Sequence, residues 1–300
     1  MKLVIVGSVA LDSIRTPHGE VKDALGGSAM YASQAARHFC RTHIVGVVGD
    51  DFPAHHLHRL DADSIGREGL VSVNGSTFRW AGVYNDLNCA ETLDTQLGVF
   101  ADFDPILPDT YRDSEMLFLA NIHPALQLKV LDQMRNPAFV AVDTMNFWIH
   151  GTRPELIEVL KRADLVFLND MEIRQLTGCP DIYSGARKVL ELGVKWVVVK
   201  RGEFGSVTIG PDFLFFMPVY PVENPIDPTG AGDSYAGGFL GYLTSVHQVN
   251  PCTIRQAMLY GTATASVCIE SFSLDRLHDI SREQLDARKD AIRRSITLCD

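Results

Sequence analysis

No apolar run in this 300-residue chain approaches the roughly 18 residues that cross a bilayer. The opening stretch MKLVIVGSVALDSI is broken by Asp12 too early for a secretory leader. Positive charge is scarce: 27 Lys and Arg stand against 37 Asp and Glu, and the net charge of −10 disfavours nonspecific nucleic-acid binding. The cysteines Cys40, Cys89, Cys179, Cys252, Cys268 and Cys299 never fall in C-x-x-C spacing, which leaves them as free thiols. These absences point to cytoplasmic small-molecule chemistry, with no nucleic-acid partner and no membrane. Also missing are G-x-x-x-x-G-K-[ST], any Gly-Lys dipeptide and a G-x-G-x-x-G after the first apolar run. Neither H-E-x-x-H, G-x-S-x-G nor H-R-D occurs. The sequence is therefore neither a P-loop protein nor an ordinary dinucleotide binder, zincin, nucleophile-elbow hydrolase or protein kinase.

What is present is ordinary for one folded domain, with 46% hydrophobic and 21% charged residues. Short runs suited to buried strands (KLVIVG, THIVGVVG, MLFLANI, AFVAVD, DLVFLND, KWVVVKRG) alternate with amphipathic stretches at 27–39, 124–134, 153–163 and 184–193. Strand and helix in repeated succession predict an α/β fold, a Rossmann-like doubly wound and mostly parallel sheet covered on both faces. Residues 8–24 and 72–98 break the rhythm and predict antiparallel strands outside that sheet, either a small β lid over a cleft or a surface hairpin. From residue 230 on, the pattern is mainly helical. The whole of 1–300 is expected to form one domain with the two lid segments inserted.

One stretch carries the chemistry: NPIDPTGAGDSYAGGFLGYL, residues 224–243. Pro228 steers Asp227 away from the helical region, and Gly230 and Gly232 open backbone angles that let N–H groups converge at a helix start. Such a start offers unpaired donors and the positive end of the helix dipole, an anion cradle. Asp233 in the same turn is placed to accept a proton from an attacking hydroxyl while the donors hold a transferring phosphoryl group. Taken alone, the same residues also read as an Asp helix cap with glycines for close packing.

Three ordered motifs, GGSAMYASQAA early, NDME in the middle and DPTGAGDSYAGGF late, resemble the ribokinase-like (PfkB) carbohydrate and nucleoside kinase family over essentially the whole chain. The resemblance implies an ATP-dependent kinase acting on an alcohol of a small sugar or sugar-like substrate. It implies Asp233 as general base and the backbone of Gly230, Ala231 and Gly232 as anion hole. By the same pattern Asp12, Gly26 and Gly27 bind substrate, while Asn169 and Glu172 of NDME organise Mg²⁺ near ATP. Asn169 and Glu172 also fit a helix cap and capping box. Lys200, Gly202 and Gly205 in VVVKRGEFG are expected at the nucleotide, although relatives often carry Thr at the Lys200 position. Asp227 and Thr229 are expected to fix the loop and touch the nucleotide. A monovalent cation is an additional cofactor candidate, and a homodimer through the lid strands is a partner candidate.

The substrate is less constrained. Tyr31 stands where sugar kinases of the family often have Asn, and either stacks on the substrate or packs in the core. Asn121, with His123, ends a strand and borders the expected substrate site. VDTMNFW keeps Asp143 and Asn146 but lacks the arginine of acidic-sugar kinases, which favours a neutral, polyol-like acceptor. A nucleoside acceptor is the alternative, with Tyr31, Trp80 and Phe78 as candidate contacts. A nucleotide- or metabolite-binding regulator without turnover is the rival from another class. His55 and His58 in HHLH read as a solvated helix face.

Overall fold

The run KLVIV becomes a central strand whose side chains divide strictly by period two. In the computed structural model, which describes residues 2–297, this strand is β1 (Lys2–Val6). Leu3 and Ile5 point into one hydrophobic cluster, and Val4 and Val6 into the other. A strand buried on both faces needs a continuous apolar run, which is why the sheet was visible in the sequence. The remaining strands are β2 (Ala10–Thr16), β3 (Gly19–Gly26), β4 (Arg41–Gly49), β5 (Gly66–Val73), β6 (Phe78–Asp86), β7 (Cys89–Gln96), β8 (Met116–Leu119), β9 (Phe139–Asp143), β10 (Leu165–Asn169), β11 (Trp196–Lys200), β12 (Ser206–Gly210) and β13 (Phe213–Met217).

Nine strands form the large sheet in the order β13-β12-β11-β10-β9-β8-β1-β4-β5, parallel from β11 to β5 and antiparallel at β12 and β13. The chain winds outward from β1 to β4 and β5, then returns to the other side of β1 at β8. The direction of winding thus reverses between β1 and β8, the place where open α/β sheets bind ligands beyond their carboxyl ends. The helices Ser28–Ala36, Ala231–Val246 and Pro251–Cys268 cover one face. Pro124–Gln133, Arg153–Leu160, Asp170–Thr177 and Ile182–Leu190 cover the other.

The two rhythm-breaking segments form a separate sheet of order β3-β2-β6-β7. Its strands differ from the expectation in three respects. Residues 72–73 belong to β5 in the large sheet, and the first pair runs on to Gly26. β2 and β6 pair in parallel, because each leaves the same edge of the large sheet, one after β1 and the other after β5. Strand β5 was not foreseen: Gly66, Arg67, Glu68 and Gly69 interrupt its apolar pattern, which an edge strand with one open side tolerates. Five cysteines are free thiols, and Cys299 lies outside the described residues. No helix among the described residues is long and apolar enough to cross a membrane. Of the histidines in HHLH, His56 is buried, against the Phe52 ring at 5.5 Å.

Candidate active site

The loop before helix Ala231–Val246 is held from both ends. The N–H groups of Ile226 and Asp227 donate to the Ile269 carbonyl at 2.6 and 3.3 Å. Asp227 Oδ1 accepts the Thr229 N–H at 2.9 Å, and the Cys268 thiol donates to the Thr229 carbonyl at 3.3 Å. Gly230 then turns left-handed at φ 74°. A Cβ there would lie 2.3 Å from the Tyr31 ring, so glycine is needed both for the angle and for the space.

Asp233 makes no capping bond. The cap reading of this acid is therefore set aside, and its carboxyl is left for other work. Ala231, expected in the anion hole, already gives its N–H to the Pro228 carbonyl at 3.1 Å. Among the described residues, the Gly232 and Asp233 N–H groups have no acceptor, as the first turn of a helix dictates. Of the expected set, the Gly230 and Gly232 N–H groups thus stay open, Ala231 is spent within the turn, and the Asp233 N–H joins them.

Asp12 rises from β2 into the same enclosure and is 5% exposed. A Cβ on Gly26 would fall 1.9 Å from its Oδ2, and one on Gly27, at φ 96°, would fall 2.5 Å from the Ser8 carbonyl. The glycine pair therefore lets the chain pass directly against the carboxyl group. Burial, then the charges of Asp227 and Asp233, push the Asp12 carboxyl up to about 8, with the Gly27 N–H pulling the other way.

Opposite lies a second group of charges at the ends of β9, β10 and β11. Lys200 Nζ bonds Asp143 Oδ2 at 2.7 Å, and Asp143 Oδ1 takes the Thr144 N–H at 2.9 Å. Burial pulls the Lys200 ammonium toward neutrality, but the carboxylates of Asp143 and Glu172 more than offset it, so it stays charged. A Cβ on Gly232 would stand 3.1 Å from this Nζ, which places the ammonium beneath the open turn. Burial and the Asp143 carboxylate push Asp233 up to about 7, and Lys200 restrains it. Asn169 caps helix Asp170–Thr177 through Oδ1, and Glu172 Oε2 returns to the Asn169 N–H at 2.7 Å, the capping box expected from NDME. Burial pushes Glu172 up to about 7 as well.

No group of three or more His, Cys, Asp and Glu among the described residues forms a metal cage. The donor set fits a cation held mainly by phosphate and water oxygens: Glu172 keeps one carboxyl oxygen outside the capping box, beside crowded buried acids, while the only side-chain oxygen of Asn169 is spent on the Met171 and Glu172 N–H groups. Asp227 Oδ2 is buried without a hydrogen-bond partner, a single anionic oxygen rather than a formed cage.

Other expected residues take different places. Tyr31 is 1% exposed, its ring closed in beneath Gly230, so it supports the turn and offers no open stacking face. The Asn121 amide is spent on protein: Oδ1 accepts from Trp148 Nε1 at 2.9 Å, and Nδ2 points to Met145 Sδ at 3.1 Å. It orients the indole instead of presenting itself to a substrate. Phe78 stacks on Phe100 at 5.3 Å, and Trp80 donates to Thr92 across Gly82. Gly202 and Gly205 take positive φ as expected of turns, and a Cβ on Gly205 would meet the Met217 carbonyl at 2.0 Å.

Sequence reasoning missed Tyr84. It stands in lid strand β6, buried, and its hydroxyl accepts from Thr229 Oγ1 at 3.2 Å. Asn88 at the lid tip reaches Glu203 Oε1 at 3.4 Å. The lid thus touches the glycine turn and the loop after β11, and only the alternation in FRWAGVYND hinted at an inward-facing tyrosine.

Comparison with known proteins bears on the family and the fold. The family model described as pfkB family carbohydrate kinase matches residues 1–278. A cytidine kinase from Thermococcus kodakarensis is 32% identical over 259 residues, covering 84% of this chain and 92% of that protein. Among solved structures, a nucleoside kinase from Methanocaldococcus jannaschii superposes with TM-score 0.79 at 22% identity, covering 97% of this chain and 98% of the other. A ribokinase from Thermotoga maritima gives TM-score 0.75 at 21% identity, with 96% and 99% covered.

Proposed function

The chain belongs to the pfkB family of carbohydrate kinases, ATP-dependent enzymes acting on an alcohol, and from that premise we propose that Asp233 is the base of the transfer. The acceptor hydroxyl lies between Asp12 and Asp233, and the Asp233 carboxylate takes its proton. The alkoxide oxygen bonds to the γ-phosphorus of ATP as the bond from that phosphorus to the β-γ bridging oxygen breaks, and ADP departs with the electron pair. The Gly232 and Asp233 N–H groups and the Lys200 ammonium face the charge that develops on the phosphoryl oxygens. Mg²⁺ bound with the nucleotide supplies charge neutralisation there. Glu172, fixed by Asn169 through the capping box, would hold its water shell, Thr229 would meet the nucleotide, and Asp227 fixes the turn and is the candidate contact for a monovalent cation. Wholly exposed β7 is the candidate edge for a homodimer.

The observation that carries this reading is a carboxyl without a capping bond, raised to about 7, in the same helical turn as two open amides. A base near neutrality is suited to both accepting and releasing a proton at working pH. Since the base must be ionised, kcat/KM is expected to rise with pH up to about 7 and then level. A flat profile from pH 5 to 8 sinks the assignment.

The acceptor is a neutral sugar hydroxyl, free or within a nucleoside. The nucleoside reading is favoured by the cytidine kinase relative, which matches over most of both chains. Nucleosides and free pentoses offered side by side, with ADP release as readout, separate the two.

A further inference from the structure

Strands β2 and β3 fall out of step one residue beyond Asp12. On the outer side Ile14 faces Val21, on the inner side Asp12 faces Ala24, so Lys22 and Asp23 together oppose Ser13 in a β-bulge. Asp23 takes a left-handed φ of 48°, which Asp tolerates better than most residues, and its N–H donates to Ser13 Oγ at 3.2 Å. Had the outer register run on without the extra residue, Leu25 would face Ala10; the bulge sets Gly26 there instead. A Cβ on Gly26 would already fall 1.9 Å from Asp12 Oδ2, so a leucine in that place would displace the carboxyl group.

The bulge is tied to the body of the molecule by one side chain. Arg79, half-buried near the start of β6, pairs through Nη1 with Asp51 Oδ2 at 2.7 Å and donates from Nε to Asp23 Oδ1 at 3.1 Å. Asp51 lies in the turn after β4 of the large sheet, and its Oδ1 takes the N–H and hydroxyl of buried Thr77 at 2.7 and 2.6 Å. Thr77 Oγ1 in turn accepts the Gly49 N–H at 3.0 Å. The guanidinium therefore bridges the large sheet and the bulged lid strand where the chain crosses from β5 to β6.

We propose that Arg79, by bridging Asp51 and Asp23, is a positioning residue that locks this bulge and so aims the Asp12 carboxyl at the acceptor hydroxyl. The inference rests on the substrate role given to Asp12 above. Only a planar fork can meet two carboxylates from different elements at once; a lysine ammonium in the same place is a single point charge on a flexible stem. Partly exposed ion pairs of this kind add little to stability. Small misplacements of a group that orients the reactant are felt strongly in the rate. The effect of the clamp therefore belongs to acceptor kinetics and not to the melting temperature.

The test is a double-mutant cycle on the full chain, comparing wild type, Arg79→Lys, Asp12→Asn and the double variant. ADP release is followed with cytidine and with ribose as acceptors. Arg79→Lys should lower kcat/KM for the acceptor about tenfold, the scale on which contacting residues couple, while the KM for ATP and the melting temperature stay put. In the Asp12→Asn background the same change should have almost no further effect, because the carboxyl it aims is gone. Asp23→Asn keeps a residue that accepts the left-handed angle but loses the charge, and should give a smaller fall in the same direction. Equal factors in both backgrounds, or no effect in either, overturn the clamp and leave the kinase reading standing. If Asp12→Asn alone leaves acceptor kinetics unchanged, the substrate role of Asp12 falls and the clamp falls with it. Amide hydrogen exchange needs no acceptor: residues 10–14 and 21–26 should exchange several-fold faster in Arg79→Lys with β1 unaltered, and unchanged exchange there overturns the proposal.

Discussion

Asp233 and Gly230 show how closely single residues are specified here. Gly230 is left-handed and in contact with the Tyr31 ring. Gly230→Ala should therefore cost at least ~1 kcal/mol from the backbone angle alone, and more from the clash. Urea unfolding measures it, and Tyr31→Leu in the same chain should return part of the loss by vacating the space. No recovery would mean that the ring contact is not what excludes the side chain. Both glycines and the acid were legible in the sequence because the motif is local. The pairing of Lys200 with Asp143 was not, since its partners are 57 residues apart and meet only when β9 and β11 flank β10. The place of the Ala231 N–H was hidden for a finer reason: it lies in the tight turn itself and bonds back to Pro228.

Among elements, the lid is the one whose position matters to chemistry. Its strand β6 delivers Tyr84 to Thr229, across 145 residues of sequence, so the lid and the anion turn share a hydrogen bond. Tyr84→Phe removes that bond at a cost near ~1 kcal/mol. It should raise the acceptor KM and lower kcat several-fold while ATP affinity and melting temperature hardly move. Unchanged kinetics, or an equal rise in the KM of both substrates, would contradict a role in coupling lid to turn. The lid was legible as a break in the α/β rhythm, but the parallel β2–β6 pairing was hidden because it follows from where the strands leave the large sheet. Helix Asp170–Thr177 was plainer, its capping box written in NDME.

For the whole molecule, the buried acids set the dependence of stability on pH. Asp12, Asp233 and Glu172 have folded-state values raised to about 8, 7 and 7, so each contributes stability below its unfolded value that is lost as pH rises through the folded one. Burial, aided by neighbouring charges, depresses His38 and His56 to about 4, which acts oppositely between about 4 and 6.5. Above about 6.5 only the acids remain, so the nucleotide-free protein should lose stability between pH 6.5 and 8.5. Chemical denaturation across that range checks this, and Asp12→Asn should flatten the slope. The sheet order itself was legible only in part: continuous apolar runs mark the parallel strands buried on both faces, while β5, β12 and β13 lie toward the edges, where the pattern is weaker.

Single-turnover transfer of the γ-phosphoryl group by Asp233→Asn, with nucleotide affinity measured on the same protein, probes the mechanism at its centre. A fall in rate of about 10²-fold or more with ATP binding intact is the expected result. Transfer at the wild-type rate with nucleotide and acceptor both bound would contradict the account.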